Sequence, residues 1–223
     1  MITYLIQSGD CGEWVWPTWR YYFTKYWKDQ DIMSPLFIGE TFHPAVSIMA
    51  TTTGKVAWGQ GMINVLTKLD SKYVVLTHED YFINGPINFE LLEVIAHAMT
   101  SEKIDLVKLC GAWAGWTSDI APMTKSDIYI NESPLWRYPV DRQYAISHQM
   151  SLWNREFLLS TIEPGYTPWS HEVVGSRAIA EEGKAVIYAY VETPPIPYVE
   201  TCTVGKVRHG AEVYFTEAEG LVS

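Results

Sequence analysis

Long apolar runs, paired cysteines, a basic excess and glycine-rich loops are all missing from this 223-residue chain, and each absence removes a class of protein. No stretch approaches the roughly 18 consecutive apolar residues of a membrane span, and the opening MITYLIQSGD has no basic segment ahead of an apolar one. A soluble, unexported chain is expected. Cys11, Cys110 and Cys202 are odd in number and far apart, which fits neither a disulfide framework nor a CxxC zinc or redox site. A reducing, cytoplasmic compartment follows. With 16 basic against 26 acidic residues the net charge is -10, which disfavours broad binding to a phosphate backbone unless basic groups gather on one face. No repeat, low-complexity segment or Gly/Ser linker divides the chain, so a single domain over residues 1–223 is expected.

Aromatics are what the chain has in excess: ten Trp and fourteen Tyr. Their flat faces suit sugar rings and nucleobases, and they suit a hydrophobic core equally well.

Residues 2–7 form a continuous apolar run that reads as a buried strand ending at SGDCG. Residues 17–27 carry Trp19, Tyr22, Phe23 and Tyr26 at helical spacing, and SPLFIG and AVSIMA then read as short strands. A helix over 60–69 places Met62, Ile63, Leu66 and Leu69 on one face, and KYVVLT follows as a strand of the buried parallel type. Asn88 caps a helix with Glu90 in its first turn and Leu91, Leu92, Ile95 and Met99 inward, before the strand DLVKLC. Farther on, YAISHQMSLW reads as a strand with a buried, hydrogen-bonded His148. Residues 154–161 read as a short helix, Ser170 as the cap of a helix running to Gly183, and AVIYAYV as a late strand. This alternation predicts an α/β, three-layer sandwich around a mostly parallel central sheet, whose ligands bind beyond the carboxyl ends of the strands.

Two such strand ends are acidic, SGDCG and THEDYF. Glu79 and Asp80 close a buried strand, and adjacent acids there cannot both point inward without a cation or a proton. Mg²⁺ is one solution, because it takes one or two carboxylates and completes its shell with water and substrate phosphates. A solvated turn is the other reading. Glu172 stands at the start of a helix three residues after Trp169, where the dipole favours a carboxylate and the indole offers a stacking face.

The series ITYLIQSGDCGEWVWP, YFTKYW, AWGQGMINVL, YVVLTHEDYF, HQMSLWNREFLL and PGYTPWSHEVVGS resembles small GT-A-type glycosyltransferases, including those encoded by phages and by bacterial surface-polysaccharide loci. The resemblance spans roughly residues 2–210. It implies a GT-A-like domain acting on a nucleotide-sugar donor, with the DxD-type metal and diphosphate site on His78, Glu79 and Asp80. Ser8 and Asp10 would lie near the nucleotide, and Trp58 and Gln60 beside the donor pocket. Trp169, Gln149 and Trp153 would face the acceptor, with Glu172 as catalytic base. Lys206, Arg208 and His209, the only compact basic cluster, would return to the diphosphate or the metal, His209 as a third ligand beside His78 and Asp80. The chain departs from the usual pattern at His78, where an acid often stands but where an imidazole suits Mn²⁺. It departs also at Gln60 and Gly61, which replace a serine and a basic residue.

The implied reaction is transfer with inversion. A metal (Mn²⁺ or Mg²⁺) or a Lys/Arg clamp stabilises the departing diphosphate while Glu172 deprotonates an acceptor hydroxyl. The acceptor is open between a glycan and a hydroxymethylated base of phage DNA. A sugar nucleotidyltransferase would need a Gly-rich loop after its first strand, where SGDCGEWVWP has bulky Trp residues. A non-catalytic sugar-binding module derived from a transferase is the third reading.

Overall fold

A computed structural model describes residues 1–28, 33–41, 49–109, 123–203 and 205–222. Cys110 and the first part of AVSIMA lie outside them. In chain order the strands are β1 (Ile2–Gln7), β2 (Met33–Gly39), β3 (Met49–Thr52), β4 (Tyr73–His78), β5 (Tyr81–Ile83), β6 (Leu106–Lys108), β7 (Thr124–Ile130), β8 (Ser133–Arg137), β9 (Ser151–Asn154), β10 (Ile187–Ala189), β11 (Tyr198–Glu200), β12 (Cys202–Thr203) and β13 (Lys206–Val207). The helices are α1 (Trp16–Tyr26), α2 (Trp58–Leu66), α3 (Phe89–Ser101), α4 (Arg155–Ser160), α5 (Pro168–Ser170), α6 (Ser176–Glu182) and α7 (Glu212–Val222).

Nine strands pair in the order β3-β2-β1-β4-β9-β6-β10-β8-β7. β1 is parallel to both β2 and β4, so the strand order reverses there and a crevice opens beyond their carboxyl ends. β9 is antiparallel to both β4 and β6. That reversal delivers the segment before β9 to the edge at which β1 and β4 finish.

Alternation along β1 divides the core. Tyr4 and Ile6 pack with Trp19, Tyr22 and Phe23 of α1 and with Leu92, Ile95 and Met99 of α3 on one side of the sheet. Leu5 joins Met62 and Leu66 of α2, Leu158 of α4 and Ile179 of α6 on the other. The expected three-layer arrangement and its mostly parallel sheet are what the structure has.

Two local expectations are corrected. YAISHQMSLW is a strand only from Ser151 onward. Ahead of it Tyr144 adopts a left-handed φ of 60°, and Ile146 N–H donates to Ser176 Oγ (3.1 Å) rather than to a neighbouring strand. Ser170 is not a helix cap. Thr167 Oγ1 accepts from Ser170 N–H, Ser170 Oγ accepts from Thr167 N–H, and Pro168 takes the first helical position.

Asn88 does cap α3, accepting from Leu91 N–H at 2.9 Å. Asn88→Ala is expected to lower the stability of the chain by about 1 kcal/mol, read from the urea midpoint at constant slope.

Candidate active site

The register pairs Gln7 with His78, the last residues of β1 and β4, at the crevice. Trp58, at the start of α2, donates its indole N–H to Gln7 Oε1 at 2.6 Å. Gln7 Nε2 lies 2.9 Å from His78 Nε2 and 3.2 Å from His148 Nδ1. His148 Nε2 meets His171 Nδ1 at 2.8 Å, and His171 Nε2 meets Thr161 Oγ1 at 2.9 Å. Three histidines from distant parts of the chain thus form one polar line, His148 and His171 buried and His78 half-buried at its cleft end. Burial holds His78 down at about 4 and His171 at about 3, and burial together with the two neighbouring imidazoles holds His148 well below the usual range.

Beside this line, His78, Glu79 and Asp80 each bring one ligand-type atom to within 4.8 Å of the others, the one such group among the described residues. Burial, and then the charge of Asp80, pushes Glu79 up to about 8; burial, and then Glu200, pushes Asp80 up to about 7. A Cβ on Gly12 would overlap the Glu79 carboxylate, so a larger residue in the 3-10 turn Asp10–Val15 would push this acid aside.

Two clefts flank the acid motif, Glu79 lining one and Tyr81 the other, with Asp80 and Glu172 lining neither. One, of about 270 Å³, is lined by Gln7, Ser8, Glu40, Trp58, His78 and Glu79 with Ile38 and Met62. The other, of about 480 Å³, is lined by Tyr81, Gln149, Glu200, Arg208, His209 and Tyr214. The segment carrying this second wall is pinned to the acid motif: Thr201 donates to Asp80 O from both N–H and Oγ1, each at 2.8 Å. Arg208 is ion-paired with Glu200.

The structure brings together Ser8, Trp58, His78, Glu79, Gln149, Arg208 and His209 on these clefts. Five expected site residues are placed differently. Asp10 lines neither cleft; its carboxylate accepts from Thr41 N–H (3.0 Å) and Thr41 Oγ1, joining the loop after β1 to the end of β2, and Glu40 is the acid that lines the cleft. Gln60 turns along its own helix to Asn64 Oδ1 at 2.9 Å. Trp153 cannot face an acceptor: it is fully buried, stacked on Phe157 in the core. Lys206 is exposed on β13 and lines neither cleft, and His209 lies outside the group formed by His78, Glu79 and Asp80.

Glu172 is held differently from the helix-start acid its spacing suggests. The helix begins at Pro168, and Glu172 falls in its π turn, His171–Gly175. Glu172 Oε1 accepts from His148 N–H at 2.6 Å. Burial raises its pKa, offset by that hydrogen bond and by Lys108. Lys108 is buried on β6, with Nζ donating to Tyr144 O (3.1 Å) and Ser147 Oγ (3.2 Å). Trp169 is 68% exposed, with the Tyr144 ring edge-on at 6.2 Å. Sequence reasoning missed Gln7, Glu40, Lys108, His171 and Glu200; of these only Gln7, a polar residue at the end of an apolar strand, carried a local signal.

The fold is GT-A-like. No protein-family model matches the chain, and no curated protein does. Among solved structures it is similar to S. aureus TarS at 10% identity and a TM-score of 0.51, over 99% of this chain and 38% of that one. It is similar to the mannosyltransferase PcManGT from Pyrobaculum calidifontis, in complex with GDP-Man and Mn2+, at 10% identity and a TM-score of 0.52, over 100% of this chain and 64% of that one. It is also similar to a CMP:2-keto-3-deoxy-manno-octonic acid synthetase complexed with CTP, at 10% identity and a TM-score of 0.55, over 98% and 99%. At these identities the likeness establishes the fold. The chain spans less than two thirds of the length of TarS and of PcManGT.

His171 supplies a pH test. Its neutral form is favoured on folding, so its contribution is complete above the ordinary pKa of 6.5 and is lost as pH falls from there towards about 3. His171→Asn removes this titration. The stability difference between the native chain and the variant is therefore expected to shrink by ~1.4 kcal/mol per pH unit between pH 6 and 4. Urea unfolding of both proteins across that range measures it.

Proposed function

We propose that this chain is a nucleotide-sugar-dependent glycosyltransferase. The observation that carries the reading is the convergence of Glu79 and Asp80 at the switch-point crevice, with one cleft on either side. A transferase needs two adjoining clefts, one for the donor and one for the acceptor, with charge stabilisation between them.

The smaller cleft suits the nucleotide. Ile38, Met62 and Trp58 provide apolar and aromatic surface, and Gln7, Ser8 and Glu40 provide polar edges. Two half-buried carboxyls pushed towards neutrality fit a hard divalent cation, which restores their ionised form and would be held by Glu79 and Asp80. Such a cation offsets the charge that develops on the departing diphosphate. PcManGT, similar in fold, is described with Mn2+ and GDP-Man. Arg208 adds a guanidinium to the same region once it exchanges Glu200 for an oxyanion.

Glu172 is the base of this reading. Its raised pKa makes it a stronger proton acceptor than a free carboxylate, and the hydrogen bond from His148 N–H fixes its direction. Trp169 and Tyr144 offer an exposed aromatic corner for the acceptor, and Gln149 a polar group in the larger cleft. A single base opposite the leaving group gives inversion at the anomeric carbon. The acceptor is a glycan or a hydroxymethylated nucleobase. Among the described residues no helix is long and apolar enough to cross a membrane.

Nucleotidyl transfer is the second reading, favoured by the similarity to the synthetase along nearly the whole of both chains. Against it, the space at Gly12 in the turn after β1 is filled by the Glu79 carboxylate, and the Trp16 indole donates to Ser8 Oγ at 2.8 Å. A triphosphate cradle needs open backbone amides there.

A panel of nucleotide sugars, assayed for release of the nucleoside diphosphate with and without Mn²⁺, separates the readings. Release of pyrophosphate from a nucleoside triphosphate and a sugar would instead identify a nucleotidyltransferase, and donor binding without turnover a sugar-binding module. Glu172→Gln is expected to lower kcat by roughly two to four orders of magnitude while the donor-induced thermal shift is unchanged. Asp80→Asn is expected to weaken both the dependence on metal and the rate, measured by titrating Mn²⁺ against turnover.

A further inference from the structure

The proton positions along the histidine line follow from one residue that can only donate. An indole has no acceptor, so Trp58 Nε1–H fixes Gln7 Oε1 as the group it meets at 2.6 Å. The amide orientation is then set, and Gln7 turns its NH₂ towards both imidazoles. Its two hydrogens go to His78 Nε2 at 2.9 Å and His148 Nδ1 at 3.2 Å, which must each present a lone pair. His148 therefore carries its proton on Nε2 and donates to His171 Nδ1 at 2.8 Å. His171 in turn carries its proton on Nε2 and donates to Thr161 Oγ1, whose own hydrogen goes to Leu158 O at 2.8 Å. In this arrangement Trp58, Gln7, His148, His171 and Thr161 are satisfied with all three rings neutral, and the Nδ1–H of His78 is left for a partner outside the line. The 3.3 Å approach of His78 Nε2 to His148 Nδ1 is a consequence of both accepting from the same amide nitrogen.

We propose that Trp58 and Gln7 lock His78 into the Nδ1–H tautomer, which makes it a hydrogen-bond donor in the donor cleft and removes it from the metal-ligand set. One nitrogen of His78 is occupied by Gln7 and the other bears the proton, so neither offers a lone pair to a cation. A divalent ion at this site is held by the carboxylates of Glu79 and Asp80, an all-oxygen set. His78 lines the cleft that takes the nucleotide sugar, and there its role is to donate to an oxygen of the donor. Trp58 and Gln7 are positioning residues that act through it. The cation and donor parts of this assignment rest on the glycosyltransferase reading; the tautomer does not.

Long-range ¹⁵N–¹H NMR of the intact chain, with histidines assigned by single substitution, reads the tautomers directly. His78 is expected as Nδ1–H, and His148 and His171 as Nε2–H. A His78 that is Nε2–H or charged at pH 7 overturns the proposal. Gln7→Glu places an acceptor where the amide donates, and it is expected to move the proton of His78 to Nε2. Trp58→Phe frees the amide to rotate and is expected to give a mixture of tautomers in a chain with unchanged far-UV circular dichroism. An unaltered His78 spectrum in both variants would show that the lock does not exist.

Mn²⁺ alone, followed by calorimetry and pulsed electron paramagnetic resonance, tests the ligand set. His78→Asn, which keeps a donor near the Nδ1 position, is expected to leave Mn²⁺ affinity unchanged, and the spectrum of the native chain to show no directly bonded ¹⁴N. Asp80→Asn is expected to weaken binding by at least the roughly tenfold that loss of even an outer-shell partner costs. A ¹⁴N coupling that disappears in His78→Asn would make His78 a ligand and refute the assignment. Mn²⁺ binding that is indifferent to Asp80→Asn would instead remove the metal from the glycosyltransferase reading, with the NMR result still deciding His78.

Discussion

Strand β9 runs against both of its neighbours, and the geometry of the site depends on that reversal. The antiparallel ladder from Tyr73↔Asn154 to Leu76↔Ser151 fixes where β9 begins. Its first residue therefore lies beside the carboxyl end of β4, and the irregular segment before it is carried over the crevice. His148 thus reaches Gln7 and His78, although 141 and 70 residues separate them in sequence. The same segment supplies the backbone N–H that orients Glu172 and the carbonyl that receives Lys108. A parallel β9 would place these groups at the opposite end of the sheet.

Burial and pairing compete throughout the crevice. At Glu79 and Asp80 desolvation dominates and the carboxyls move towards neutrality. At Glu200 the neighbouring Arg208 offsets part of the same cost, although burial still leaves the carboxyl above its usual range. The histidines are relieved by remaining neutral: the line gives His148 and His171 a partner at both ring nitrogens and His78 a partner at Nε2. Neutral imidazoles meet the demand of buried polar groups without adding charge beside two acids.

The aromatic excess divides by position in the layers. Trp19 and Trp153 are fully buried and serve the core. Trp16 and Trp58 are buried or half-buried but spend their indole N–H groups on Ser8 and Gln7, at the mouth of β1. Trp14 and Trp169 are exposed, and Trp169 makes a corner with Tyr144, whose left-handed backbone presents the ring. An indole has a polar tip and an apolar body, so its role follows from which end its element turns inward.

The order of strands and helices was legible in the amino-acid sequence, because burial imposes a period of two or of 3.6 on local residues. That period marked the buried strand Tyr73–His78, the α3 face of Leu92, Ile95 and Met99, and the acids that close β4. Asn88 was legible as a cap because its partner lies three residues away. Ser170 was misread because Thr167 and Pro168, still closer to the true start, compete for the same role. The contacts of the site had no such local trace. Gln7 meets His78 through the register of two parallel strands, Trp58 through the packing of α2, and His148 through the reversal of β9. Glu200 and Arg208 reach the acids because β11 pairs with β5 and Thr201 bonds to Asp80. Hydrogen bonds formed across such separations are chosen by topology, and only the folded chain decides them.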